Sequence, residues 1–117
     1  MEESILNTIK KLLGITTDNK DFDTDIIVDI NSVFMILRQL GVGPEEGFKI
    51  EDDSTTWDEY ISDEDDLEAV KSYIYLRVKI MFDPPLNGTV TDALNSVKDE
   101  IEWRLNLRHE EDKDVGV

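Results

Sequence analysis

Three glycines, Gly41, Gly43 and Gly47, punctuate the stretch LGVGPEEGFKI at residues 40–50. Closely spaced glycines are the raw material of a phosphate cradle, because backbone without side chains lets amide hydrogens converge on an anion. The spacing here is GxGxxxG, whereas the dinucleotide fingerprint is GxGxxG in a strand-to-helix turn. This chain runs from helix to loop instead. Glu45 and Glu46 also stand where a phosphate would sit, with only Lys49 to offset them. The mechanical reading is favoured: Gly41 ends a helix, and the chain turns into something else.

DFDTD at 21–25 resembles the first half of a calcium loop, with Asp21, Asp23 and Asp25 at alternate positions. The sixth position is Ile26 where that loop needs glycine, and the twelfth is Ser32 where it needs glutamate. Aspartates ahead of an apolar helix are ordinarily dipole-compatible capping residues. Carboxylates are so abundant here that a pair adjacent in sequence carries no evidence of general acid-base chemistry. The lone His109 lies in the expected tail, and no Ser-His-Asp order, Walker loop or HExxH helix is present. The expectation is no catalytic residue, no cofactor and no metal site.

The elements that would position these residues follow from apolar spacing. Ile5, Leu6, Ile9, Leu12 and Leu13 form one helical stripe, with Glu2 and Glu3 at its start and Gly14 as a stop, which predicts a helix over roughly 2–13. Thr24 is the expected N-cap of a second helix to Leu40, striped by Ile26, Ile30, Val33, Phe34 and Leu37. Val28 and Met35 are apolar on its opposite side, so this helix is expected to be central and covered on two faces.

Residues 42–62 have no sustained period and read as a long connection anchored by Phe48, Trp57 and Tyr60, with one helical turn near Trp57. A third helix, capped by Ser62 or Asp63, carries Leu67, Val70, Ile74, Val78 and Met81 on one stripe and ends at Asp83-Pro84-Pro85. Thr89 or Thr91 starts the last, with Leu94, Val97, Ile101 and Leu105 facing the core. The fold class is all-α, a small bundle of about four helices with a long acidic loop between the second and third. One domain spans 1–108, and 109–117 is a flexible acidic tail.

Charge narrows the function classes. Twenty-eight acidic residues against twelve basic ones leave −16, which repels nucleic-acid phosphates on most approach paths. The absence of cysteine removes disulfides, thiolate nucleophiles and cysteine-ligated zinc. MEESILNTIKKLLG carries acids first and polar residues inside its apolar pattern, unlike a signal peptide or a membrane span.

Two features stand out. Residues 45–68 hold twelve acids and one lysine, −11 of the total. A solvated, solubilising face is the plain alternative for them. Trp103 and Leu107, one turn apart, point away from the core stripe of the last helix at ~100° per residue, which suggests a contact surface.

The stretches DTDIIVDINSVFMILRQLGVGPEEGFKIED (23–52), LEAVKSYIYLRVKIMFDPP (67–85) and IEWRLN (101–106) resemble those of bacteriophage head-tail connector proteins. The similarity is greatest to the small adaptor, or head-completion, proteins of long-tailed phages and prophages. The resemblance implies a structural subunit, made in the bacterial host cytoplasm and located in the virion. It would assemble as a homo-oligomeric ring on the portal protein, extend the DNA channel and offer a face to tail-side connector proteins. DNA would pass without specific binding, and no membrane is involved. Candidate contacts are Phe48, Trp57, Tyr60, Trp103 and Leu107. The candidate acidic channel or partner surface is Glu51, Asp52, Asp53, Asp63, Glu64, Asp65 and Asp66. The competing readings are a soluble acidic binding module, such as a DNA mimic whose carboxylates imitate phosphates, and a small helical enzyme with a carboxylate metal site.

Overall fold

A computed structural model describes residues 3–61 and 64–115, apart from the side chains of residues 64–65 and 108–115. The order is α1 (Ile5–Leu12), α2 (Asp23–Gln39), α3 (Trp57–Tyr60), α4 (Glu64–Phe82) and α5 (Gly88–Val115). Four substantial helices and one short turn make an all-α bundle. The described residues include no strand, only an isolated bridge between Ser4 and Thr56.

Ser4 starts α1, its hydroxyl accepting from the Asn7 amide at 3.2 Å, and Gly14 leaves it at φ 84°. Ile5, Leu6 and Ile9 are buried. Lys10 is buried too: its Nζ donates to the carbonyls of Thr17 (3.2 Å) and Asn19 (2.6 Å) and lies 2.7 Å from an Asp23 carboxylate oxygen. Removing a cation from water is costly unless such partners surround it, so Lys10 holds the α1–α2 connection in one conformation.

Helix α2 buries Ile26, Ile30, Val33, Phe34 and Leu37 on one stripe, each contributing about 1.5–3 kcal/mol of transfer free energy. Two expectations about it need correction. Its N-cap is Phe22, without a side-chain cap bond, in place of Thr24; Asp23 and Asp25 in the first turn supply the favourable charge at the dipole. Val28 and Met35 are 57% and 68% exposed, so its far side is not covered by the rest of the chain.

The helix that touches α1, α2 and α5 alike is α4, which buries Val70, Tyr73, Ile74, Leu76 and Val78. Met81, assigned to that core stripe from its spacing, is exposed. Asp83-Pro84-Pro85 follows the helix, and Asn87 takes the capping role expected of Thr89 or Thr91, its Oδ1 accepting from the Thr89 amide at 2.8 Å. Leu105 is buried in α5 and Ile101 packs against the core, but Val97 is exposed. The helical backbone of α5 runs through residue 115, past residue 108 where the sequence reading ends the domain.

Candidate assembly interface

The connection from Gly41 to Ile61 is fastened at both ends. Gly41, Gly43 and Gly47 all adopt positive φ, at 90°, 85° and 97°, where residues with a Cβ are strained. Gly43 has a second reason: a Cβ there would lie 2.6 Å from the Tyr60 ring. The glycines bring the loop down on an aromatic cluster in which Tyr60 lies 4.6 Å from Phe34 and 5.0 Å from Phe48 between ring centroids. The Arg38 guanidinium adds a bond to the Glu45 carbonyl at 2.7 Å. The stretch is a packed turn in which the amides of Gly41, Val42, Gly47 and Ile50 are already bonded within the chain.

Farther along, Asn31 of α2 brackets Ile50, accepting from its amide at 2.8 Å and donating to its carbonyl at 3.0 Å. The loop's end then lies along the start of α1. Ile5 N donates to the Thr55 carbonyl at 3.0 Å, and Trp57 Nε1 donates to the Thr8 hydroxyl at 3.0 Å. Lys71 sits 5.6 Å over the Trp57 ring.

This geometry sorts the sequence-derived residues. Trp57 and Tyr60 are 3% and 5% exposed and Phe48 is half-buried, so in one subunit all three are anchors of the loop and belong to the core. Burial pushes the Tyr60 hydroxyl well above the ordinary phenol value. Trp103 and Leu107 are 63% and 38% exposed, on the face of α5 away from α4. The two groups are therefore different in kind.

The acidic candidates also divide. Glu51, Asp52 and Asp53 are exposed on the loop. Asp53 faces Lys20 at 3.4 Å, and Asp52 accepts from the Ser54 hydroxyl and amide, which holds its carboxyl below the usual aspartate value. Asp66 is buried near the start of α4 and has interactions of its own. Asp63 and the side chains of Glu64 and Asp65 lie outside the described residues, as does the His109 side chain. Among the described residues no three metal-ligating side chains converge, and Asp23 of the DFDTD stretch is engaged by Lys10.

Sequence reasoning missed a polar cluster between α4 and α5. Glu102 accepts from the Tyr73 hydroxyl (2.8 Å) and Arg77 (3.0 Å), and Arg77 Nε donates to Tyr73 at 2.5 Å. Burial pushes the Glu102 carboxyl up, but these bonds and the Arg77 charge outweigh it and leave it below its usual value. Burial and the bond to Glu102 raise the Tyr73 hydroxyl to about 12. The alternation of α4 gave a signal, since Tyr73 and Arg77 are one turn apart, but their partner lies 25 or more residues away.

The architecture is a helical bundle with a stapled loop and exposed apolar residues on α2 and α5. A family model described as "Phage connector protein" matches residues 5–112, nearly the whole chain, and the chain belongs to that family. No curated protein and no solved structure matches. Membership gives the chain a phage head-tail connector role, in a family of structural proteins located in the virion, where it works with other head and tail proteins. No described helix is long and apolar enough to cross a membrane.

Proposed function

We propose that this chain is the adaptor subunit of a long-tailed phage or prophage, assembling as a ring on the portal and extending the DNA channel toward the tail. The observation that carries the reading is family membership across residues 5–112. A ring needs two unlike faces on each subunit, because a contact that repeats by rotation joins different patches. The exposed apolar residues of α2 and α5 supply candidates, Trp103 and Leu107 foremost. Phe48, Trp57 and Tyr60 act indirectly, holding the loop in the shape a neighbour meets.

DNA sliding through a channel is helped by a wall that does not bind phosphate. In this reading the exposed Glu51, Asp52 and Asp53, joined by Asp63, Glu64 and Asp65 of the sequence, line the lumen or meet a basic partner, while the buried Asp66 stays within the subunit. The domain of residues 1–108 carries the ring in this reading. Light scattering of the purified chain, alone and with portal protein, tests this. A ring-sized mass on the portal supports the reading, and a monomer indifferent to portal at every concentration overturns it.

A further inference from the structure

A shallow cleft opens where the start of α2 meets the end of α4, lined by Phe22, Asp25, Val28, Asp29, Met81 and Phe82. Phe22 and Phe82 form an edge-to-face pair, 5.6 Å between centroids, and Phe22, Val28 and Met81 are each more than 40% exposed. Asp25 and Asp29 stand one turn apart on its rim. Among the described residues neither is ion-paired. Burial, and then the charge of Asp25, push the Asp29 carboxyl up. The cleft thus combines exposed apolar surface with two carboxylates that lack a cation.

The complementary chemistry lies on α5. WRLNLRH, residues 103–109, holds two arginines and no acid in a chain of −16. Trp103 and Leu107 are exposed there. Arg104 is 70% exposed and, among the described residues, is held by Glu100 at 2.7 Å, a surface pair within one helix that costs little to exchange. One subunit cannot join its own two patches. Glu102 is bonded to Tyr73 and Arg77, so Trp103 lies level with the middle of α4. From Tyr73 to Phe82 the rise along that helix is ~13 Å, and α5 runs away from Phe82.

We propose that the Trp103–Arg104–Leu107 face of one copy seats in the Phe22–Phe82 cleft of the next, with Asp25 and Asp29 receiving Arg104. The inference rests on the ring reading and names the two faces that make the repeat. Charge selects this pairing over the symmetrical ones: cleft against cleft opposes carboxylates, and α5 against α5 opposes guanidiniums. An unlike pairing repeats around an axis and does not stop at a dimer.

The cysteine-free chain permits a direct test by cross-linking on the portal. Val28→Cys and Leu107→Cys are placed in separate copies, mixed with portal protein and treated with a short thiol cross-linker, while light scattering reports ring mass. The expected result is a covalent dimer in the mixture only, and a ladder of multimers from the double variant. Asp25→Lys/Asp29→Lys should lower the yield about tenfold, and Arg104→Glu on the partner copy should restore part of it. Rings without the mixed cross-link, or with only like-to-like products, overturn the pairing while leaving the ring reading intact. Absence of any ring on the portal removes both.

Discussion

Asn31 and Ile50 exchange two hydrogen bonds, the side-chain amide of one accepting from the backbone N–H of the other and donating to its carbonyl. The pair does what a neighbouring strand would do for an isolated extended residue, and it joins the middle of α2 to the middle of the acidic loop. Ile50 is 1% exposed, so water does not replace either bond. Asn31→Leu should therefore cost about 2–3 kcal/mol by leaving a buried donor and acceptor unpaired. Asn31→Asp, which still accepts but no longer donates, should fall between. Urea denaturation checks this; a loss below ~0.5 kcal/mol for Asn31→Leu would contradict it.

Gly14 and Gly43 share nearly the same φ, 84° and 85°, but only Gly43 faces a close neighbour. Gly14→Ala should cost about 1 kcal/mol of backbone strain. Gly43→Ala should cost at least ~2 kcal/mol, because its Cβ meets the Tyr60 ring as well. Equal losses in the same denaturation experiment would show that the loop yields around Tyr60.

The two tryptophans should separate stability from assembly. Trp57→Ala removes a buried ring and its bond to Thr8, and should destabilise the fold by about 3–5 kcal/mol. Trp103→Ala should change stability by less than ~0.5 kcal/mol yet reduce ring formation on the portal. Thermal unfolding and light scattering of both variants provide the comparison.

Acid should loosen α5 from α4. Glu102 has a folded-state value below its unfolded one, so its contribution is present above the unfolded value and is lost as pH falls through the folded one. Glu102→Gln should flatten the stability profile across that acidic window and lower stability at neutral pH. At the alkaline end the sign is reversed. Tyr73 is raised to about 12 from 10.0, so its stabilising contribution is intact below pH 10 and fades as pH climbs toward 12. Phenolate absorbance should show late ionisation of Tyr73 and Tyr60 in the folded protein, with ordinary titration restored in denaturant.

The helices were legible because their apolar spacing and their breakers agree. Ile26 to Leu37 repeats at helical spacing, and Gly14, Gly41 and Pro84-Pro85 interrupt the pattern where the chain turns. The single turn at Trp57 and the anchoring of the loop by its aromatics were legible for the same reason, since a long irregular segment must be fastened by its own side chains. Periodicity does not report what covers an apolar residue. Val28, Met35, Met81 and Val97 carry the pattern of covered residues and stand exposed. Lys10 shows the converse, a cation beside the outward Lys11 whose burial depends on carbonyls of a connection with no pattern. The Asn31–Ile50 and Tyr73–Arg77–Glu102 contacts span distant segments, and spacing within one helix does not contain them. For the candidate contacts, the orientation of Trp103 was readable from helical angle alone, whereas the burial of Trp57 and Tyr60 depends on where the loop folds.

The most direct test of the central claim is electron microscopy of the purified chain mixed with its portal protein, analysed for rotational symmetry. Added density in a closed ring coaxial with the portal channel is the result this account predicts. Particles indistinguishable from portal alone, with the chain remaining monomeric at the same concentration, would contradict it.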